Sequence, residues 1–197
     1  MSLFIKICGI TSVETAEVAI AAGADALGFV FARSPRELSP TRASEIASTV
    51  PSNVEKVAVF RSPQPGDVDR VLERFDADTV QADLQSLVGF KARPILPVVR
   101  DSSEVVPNRQ RILFEGAQSG VGSQANWSIA ADLANRHSLV LAGGLHVGNV
   151  RSAIELVRPF GVDVSSGVEL RRGIKDVGLI NGFIGEVRRI EKETVTT

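Results

Sequence analysis

The 197-residue chain is 44% hydrophobic and carries 22 basic against 23 acidic residues, for a formal charge of −1. This composition suits one soluble domain with a full core, whereas the balanced charge gives no electrostatic reason to bind nucleic acid or an anionic membrane. No apolar run approaches the ~18 residues that a membrane span requires. The single cysteine cannot form an internal disulfide, and residues 1–6 are typical of a strand rather than of a signal peptide, so we expect a cytoplasmic protein.

Short β-branched runs alternate with Ala-rich stretches of helical spacing along the chain. The runs predict strands at residues 3–8, 26–31, 54–60, 79–81, 95–99, 111–115, 138–142 and 162–165. The stretches between them predict helices at 13–22, 40–49, 65–75, 84–90, 127–135, 147–157 and 176–190. Ser39 followed by Pro40 is typical of a helix start, and Gly23 of a helix end. Residues 101–109 are polar, contain Pro107, and are too short to predict a helix.

Strict alternation of strands and helices favours parallel strands with covering helices. Eight such strands predict a closed (β/α)₈ TIM barrel, compact because ~250 residues is the more typical length. An open doubly wound sheet is the alternative, but it predicts a G-x-G-x-x-G turn after a strand, and the sequence has none there. No Pro/Gly/Ser-rich linker divides the chain, so residues 1–197 are expected to form one domain.

In such a barrel the chemistry lies at the carboxyl ends of the strands and in the loops that follow them. The candidate positions are the polar and small residues at these strand ends and in these loops. They are Cys8, Arg33 to Arg36, Gln81, Asp83, residues 115–122, Gly143, Gly144, Ser165, Ser166 and Gly167.

Two of these residues have side chains suited to proton transfer. A thiolate of Cys8 at the mouth would accept a proton from carbon, although a lone cysteine is often simply a small buried hydrophobe. Glu115 would face the mouth opposite Cys8, where burial against apolar walls would raise its pKa and let it act as an acid near neutrality. The alternative for Glu115 is a solvated loop carboxylate.

Small-residue turns follow the last two strands. Gly143-Gly144 after strand seven and Ser165-Ser166-Gly167 after strand eight would expose backbone N–H groups, and paired turns at these two strands form the usual phosphate site of the barrel. The alternative is that they are tight turns without a ligand.

Other polar residues give weaker signals. Arg36 at the mouth could pair with a substrate carboxylate in bidentate fashion. The direction in which Asp163 faces is left open by the sequence, His146 is interpreted as a solvated loop residue, and Trp127 as a packing anchor. Cys8 and the two histidines are scattered and predict no metal site.

Several segments together resemble phosphoribosylanthranilate isomerase, an enzyme family of tryptophan biosynthesis, and the resemblance runs nearly from end to end. They are KICGIT at 6–11, GADALGFVF at 23–31, SPR at 34–36, GVG at 120–122, WS at 127–128, GGL at 143–145, NV at 149–150, GVDVSSGVE at 161–169 and GIKD at 173–176. The first segment and the GVDVSSGVE segment are the most specific.

The resemblance implies an Amadori rearrangement of N-(5-phosphoribosyl)anthranilate to 1-(2-carboxyphenylamino)-1-deoxyribulose 5-phosphate. It implies Cys8 as the general base, Arg36 as the partner of the anthranilate carboxylate, and the two small-residue turns as the phosphate site. Gln81 and Asp83 are expected to contact the substrate. No metal or organic cofactor is implied, because proton transfers suffice. The expected partner is a small phosphorylated substrate, and the expected state is a monomer or homodimer.

The chain departs from the family pattern at three places. Glu115 stands where the family has an aspartic acid, and its extra methylene moves the carboxyl by over an ångström. Asp83 stands where the family has a histidine, and would repel an anionic substrate unless it points outward or pairs with an arginine. Pro97 replaces a lysine of strand five, and the helix after that strand is shortened.

Two alternative functions are compatible with parts of the sequence. A related isomerase of histidine biosynthesis performs the same rearrangement on a substrate with two phosphates, but it uses aspartates on strands one and five and has a second phosphate turn. Here strand one presents Cys8, and no Gly-rich turn follows strands three or four. The other alternative is a barrel that binds a phosphorylated sugar without catalysis, which the changes at strands four and five would permit.

Overall fold

The computed structural model describes residues 2–64, 66–91, 93–100, 110–116 and 124–195. Eight parallel strands close into a barrel in chain order, and the eighth pairs with the first. The strands are β1 (Phe4–Cys8), β2 (Ala26–Val30), β3 (Glu55–Val59), β4 (Thr79–Asp83), β5 (Ile95–Val99), β6 (Arg111–Phe114), β7 (Ser138–Leu141) and β8 (Gly161–Val164). The TIM-barrel fold predicted from the alternating pattern is therefore confirmed.

The described helices surround the barrel. They are α1 (Val13–Ala22), α2 (Pro40–Ala47), α3 (Asp67–Leu72), α4 (Trp127–Ala134), α5 (Val150–Val157) and α6 (Val177–Val195). The predicted helix signals are confirmed. At the start of α2 the Ser39 hydroxyl accepts a hydrogen bond from the backbone N–H of Arg42, and Pro40 is the first helical residue. At the end of α1, Gly23 adopts a φ of +101°. Within the described residues, no helix is long and apolar enough to cross a membrane.

Side-chain alternation along each strand separates the barrel interior from the layer under the helices. On β1, Ile5 and Ile7 face outward and are fully buried in the large core that the helices cover. Phe4 and Cys8 face inward and pack in the smaller clusters inside the barrel. With a period of two, Lys6 also faces inward between them. Inward residues at strand ends therefore reach the mouth, and those at strand starts close the opposite end.

The amino-terminal end of the barrel is closed by an aromatic and ionic plug. The guanidinium of Arg111 donates to both carboxylate oxygens of Glu55 at 2.6 and 2.9 Å, and lies over the Phe4 ring at 5.3 Å from its centroid. Phe4 in turn stacks on Phe160. The carboxyl end of the barrel is thereby left as the end at which a ligand can enter.

Several elements differ from the sequence prediction. Strand four runs on to Asp83, and the helix predicted at 84–90 is a 3₁₀ turn at Leu84–Leu87. A short antiparallel hairpin, β9 (Glu169–Arg171) and β10 (Ile174–Lys175), follows the eighth strand and was not predicted. Helix α6 continues past residue 190. The predictions at residues 101–109 and 117–122 lie outside the described residues.

Candidate active site

A cavity of about 450 Å³ opens at the carboxyl end of the barrel. Cys8 at the end of β1 and Glu115 just after β6 both line it, so the two residues predicted to transfer protons share one cavity. The remaining lining residues are Val30, Ala32, Arg33, Ser34, Pro35, Arg36, Val59, Phe60, Arg61, Gln81, Val98, Arg100, Asp163, Ser165 and Arg172. A second cavity of about 710 Å³ lies beside it over the loops after β2 and β3, and neither Cys8 nor Glu115 lines that one.

The thiol of Cys8 is nearly enclosed, with 7% of the residue exposed. Gly28 on the neighbouring strand makes room for it, because a Cβ atom at Gly28 would lie 2.9 Å from Sγ of Cys8 and 3.2 Å from Nζ of Lys6. Burial raises the pKa of the Cys8 thiol above its ordinary value and the Asp163 carboxylate adds to this rise, while the Lys6 and Lys175 ammonium groups oppose it. The site therefore places a cation where it favours the thiolate that a base requires.

That cation is held by an ion pair at the centre of the barrel. Nζ of Lys6 lies 2.7 Å from Oδ1 of Asp163, and both side chains are buried. Burial alone would lower the pKa of Lys6, but the attraction of Asp163 and then of Cys8 raises it above its ordinary value. Asp163, whose direction the sequence left open, thus faces inward and keeps Lys6 charged.

Arg36 lies at the mouth in a second buried ionic cluster. Its Nε and Nη2 donate to the two carboxylate oxygens of Glu169 at 2.6 and 2.8 Å. Lys175 also donates to Glu169, at 3.0 Å. Burial would raise the pKa of Glu169, but Arg36 and Lys175 together lower it to about 2. Within the described residues the remaining nitrogen of Arg36, Nη1, makes no hydrogen bond, so one edge of the guanidinium is left for a ligand.

Lys175 and Arg36 both bind the Glu169 carboxylate, but their pKa values shift in opposite directions. Burial lowers the pKa of Lys175, and the neighbouring Arg36 charge adds to this, although Glu169 opposes both. Contact with Glu169 raises the pKa of Arg36. The lysine also donates to the backbone carbonyl of Ser165 at 2.9 Å, which fixes the start of the turn after β8.

The two small-residue turns predicted to bind phosphate lie against each other, and of their five residues Ser165 lines the cavity. Gly143 and Gly144 adopt φ values of +85° and +69°, in the left-handed region that glycine adopts most readily. A Cβ atom at Gly167 would overlap the carbonyl oxygen of Leu145. The Asn149 side chain donates to the Gly144 carbonyl at 2.9 Å and so holds the first turn. Glycine at 167 therefore permits the close approach of the second turn to the first.

Gln81 and Asp83 project from the same strand end but have different surroundings. Gln81 lines the cavity, and its buried Oε1 has no hydrogen-bond partner within the part of the chain that the structure describes. Asp83 accepts from the Ser62 hydroxyl at 2.6 Å and forms an ion pair with Arg100. Arg100 also donates to Glu115 at 2.8 Å, so the prediction of apolar walls around Glu115 is wrong: its carboxyl meets a guanidinium. The carboxylate expected to repel an anionic substrate is thus paired with an arginine.

Sequence reasoning missed four charged side chains at the site, namely Lys6, Arg100, Glu169 and Lys175. Lys6 had a usable signal, because it precedes Cys8 by two residues and must share its face in a strand. The interpretations of His146 and Trp127 agree with the structure. His146 is exposed, and its Nδ1 accepts from the Gly148 backbone at 3.1 Å, while Trp127 packs on the core. Among the described residues, no group of three or more metal-binding side chains is present.

Comparison with known proteins identifies the family to which this site belongs. The family model of N-(5'-phosphoribosyl)anthranilate isomerase matches residues 5–186. The isomerase of that name from Oceanobacillus iheyensis is 38% identical over 200 residues, covering 95% of this chain and 98% of the relative.

Solved structures agree with this comparison. The phosphoribosylanthranilate isomerase of Thermotoga maritima superposes with a TM-score of 0.84 at 35% identity, covering 95% of this chain and 99% of that one. A structure of the isomerase in complex with reduced 1-(o-carboxyphenylamino)-1-deoxyribulose 5-phosphate superposes with a TM-score of 0.80 at 34% identity, with the same coverage. The chain therefore belongs to the phosphoribosylanthranilate isomerase family.

Proposed function

We propose that this chain rearranges N-(5-phosphoribosyl)anthranilate to 1-(2-carboxyphenylamino)-1-deoxyribulose 5-phosphate, with Cys8 as the general base and Glu115 as the general acid. The observation that carries this assignment is that a thiol and a carboxyl, contributed by β1 and by the residue after β6, line one cavity at the mouth of the barrel. An aldose-to-ketose rearrangement needs one group of each kind.

The acid acts first. The carboxylic acid of Glu115 gives its proton to the furanose ring oxygen, the bond between that oxygen and C1 breaks, and the nitrogen lone pair forms the protonated Schiff base. The Cys8 thiolate then takes the proton from C2, and the electrons of that C–H bond form the enolamine. Tautomerisation of the enolamine to the ketone completes the rearrangement, with no change in net oxidation state.

Lys6 prepares Cys8 for the second step. Burial raises the pKa of the thiol above its ordinary value, and the Lys6 ammonium opposes that rise, so the thiolate forms more readily than burial alone would allow. Asp163 keeps Lys6 charged and in place at 2.7 Å. Lys6 acts through Cys8, so it is a positioning residue rather than a catalytic one.

Substrate binding is assigned to both sides of the mouth. The anionic phosphate would lie on the turns formed by Gly143, Gly144, Ser165, Ser166 and Gly167, next to the Lys175 ammonium. The anthranilate carboxylate would meet the Nη1 edge of Arg36. The Oε1 of Gln81, which has no partner among the residues that the structure describes, would accept from a ribose hydroxyl. Asp83 remains a predicted substrate contact, although its carboxylate is engaged by Ser62 and Arg100.

Some properties of the protein stay predictions. We expect no cofactor or metal to be required, because the reaction consists of proton transfers. The partner is the phosphorylated substrate, the state is a monomer or homodimer, and the site of action is the cytoplasm, where a lone cysteine remains reduced.

The test is steady-state turnover of freshly generated phosphoribosylanthranilate, followed by the loss of its anthranilate fluorescence. Saturable decay above the uncatalysed rate is expected. In Cys8→Ser and Glu115→Gln we expect turnover to fall by about 10²–10⁴-fold while affinity for the product is kept. Full activity in either variant would remove that residue from its role. No decay with the native chain, but retained binding of the product, would favour the non-catalytic alternative.

A further inference from the structure

The carboxyl ends of three neighbouring strands are joined by a single side chain. Arg100 directly follows β5, Asp83 ends β4, and Glu115 directly follows β6. The strands are adjacent in the barrel, with Asp83 opposite Val98 and Val99 opposite Phe114 in the ladders. From just beyond the middle strand, Arg100 reaches a carboxylate on each side through different nitrogens, Nη1 to Asp83 and Nη2 to Glu115.

Asp83 is itself held in place on its far side. One carboxylate oxygen of Asp83 pairs with Arg100, and the other accepts from the Ser62 hydroxyl at 2.6 Å. The backbone N–H of Asp83 donates to the Arg61 carbonyl at 2.9 Å, so the strand end is fixed as well. Asp83 and Arg100 expose 24% and 21% of their side chains, which places the pair at the rim but shields it from most of the solvent.

A glutamic acid at position 115 needs such a support more than a shorter aspartic acid would. The extra methylene adds a rotatable bond, so an unsupported carboxyl would sample several positions around the mouth. Displacement of a reacting group by 1 Å can cost ~100-fold in rate. A hydrogen bond of 2.8 Å from Arg100 to Oε1 restricts that freedom.

We propose that Arg100 is a positioning residue that fixes the Glu115 carboxyl for proton donation, and that Asp83 fixes Arg100. This inference rests on the proposed role of Glu115 as the acid. It links Asp83 with Glu115, since Asp83 supplies the negative charge that anchors the arginine bound to the acid.

The contact is compatible with both protonation states of Glu115. When Glu115 is ionised, Arg100 forms an ion pair with Oε1. When Glu115 carries its proton on Oε2, Oε1 is a carbonyl oxygen and still accepts the hydrogen bond from Nη2. The acid can therefore give up its proton to the ring oxygen without losing its support.

The experiment is a double-mutant cycle on turnover of phosphoribosylanthranilate. Arg100→Met is compared with the native chain and, separately, in the Glu115→Gln background. We expect Arg100→Met to lower kcat by about 10- to 100-fold with KM changed less than about threefold. In the Glu115→Gln background the same substitution should have almost no effect on kcat, because there is no acid left to position.

Two further variants separate positioning from folding. Arg100→Lys keeps the charge and should recover part of kcat, and Asp83→Asn should lower kcat in the native background but not in the Glu115→Gln background. Arg93→Met is the matched control, because Arg93 pairs with Asp76 at 2.9 Å before the start of the same strand. It should leave kcat and KM unchanged. Circular dichroism of each variant checks that the barrel has formed.

The outcomes are distinguishable. Equal losses of kcat in the two backgrounds, or a rise in KM at unchanged kcat, would overturn the positioning role and leave the proposed function intact. Full turnover by Glu115→Gln would overturn the acid assignment and the role of Arg100 together. Absence of turnover by the native chain would overturn the proposed function itself.

Discussion

The ammonium of Lys6 and the carboxylate of Asp163 lie 2.7 Å apart inside the barrel, although 157 residues separate them in the chain. The pair lies one inward position below Cys8 on β1, between the plugged end of the barrel and the mouth. Buried ion pairs of this kind contribute little net stability, because desolvation offsets the attraction. Its value to the protein is the fixed positive charge beside the thiol.

Removal of that charge should change the titration of the thiol. In Lys6→Met combined with Asp163→Asn, which avoids an unpaired buried carboxylate, we expect the pKa of Cys8 to rise, because the lowering by Lys6 is larger than the raising by Asp163. The acidic limb of kcat/KM should move to higher pH with it. The thiolate absorbance measured against pH reports this directly, since Cys8 is the lone cysteine. An unmoved titration would contradict the role given to Lys6.

The ionic cluster around Glu169 should make stability depend on pH in the acid range. The pKa of Glu169 is lowered from 4.5 to about 2 in the folded chain, so its contribution of about 3 kcal/mol is present above pH 4.5 and is lost as the pH falls through 2. The free energy of unfolding, measured in urea from pH 7 downward, should therefore differ between the native chain and Glu169→Gln at neutral pH and converge near pH 2.

A surface pair provides the comparison for this measurement. Glu45 pairs with Arg42 at 2.8 Å, but both side chains are about half exposed. Glu45→Gln should cost less than about 1 kcal/mol at any pH. A Glu169→Gln variant as stable as Glu45→Gln at neutral pH would show that the cluster is not stabilising.

The glycine of the second phosphate turn should be required for substrate binding. In Gly167→Ala the new methyl group would overlap the Leu145 carbonyl and push the two turns apart. We expect KM to rise by about tenfold, equivalent to about 1.4 kcal/mol of lost binding. Gly185→Ala is the control, since no atom lies within 4 Å of its Cβ position in α6 and alanine favours the helix. Equal KM values for the two variants would argue against the phosphate assignment.

The plug at the closed end should affect stability alone. Arg111→Met removes both hydrogen bonds to Glu55 and the contact with the Phe4 ring. We expect the free energy of unfolding to fall by about 1.5–3 kcal/mol, since hydrogen bonds to charged groups contribute this much. Turnover measured below the unfolding temperature should stay at the native value, because the plug lies at the end of the barrel opposite the mouth. A loss of kcat without a loss of stability would contradict the expectation that the plug stabilises the fold and takes no part in turnover.

Much of the fold follows from local patterns in the sequence. The alternation of β-branched runs with Ala-rich helical stretches determined the barrel, and the Ser39-Pro40 start and the Gly23 end of helices follow from backbone chemistry that acts within a few residues. The residues at the mouth, Cys8 and Glu115 among them, were predicted because a barrel places every strand end on one face.

The sequence by itself thus determined which residues reach the mouth, whereas only the tertiary structure decided how they pair. The direction of Asp163 was undetermined, because β8 is buried on both faces and shows no polar alternation. The contact of Arg36 with Glu169 spans 133 residues, and Asp83 is linked to Glu115 through Arg100, which follows the intervening strand. Such contacts depend on barrel closure and strand register, which bring distant segments together and which local propensity does not encode.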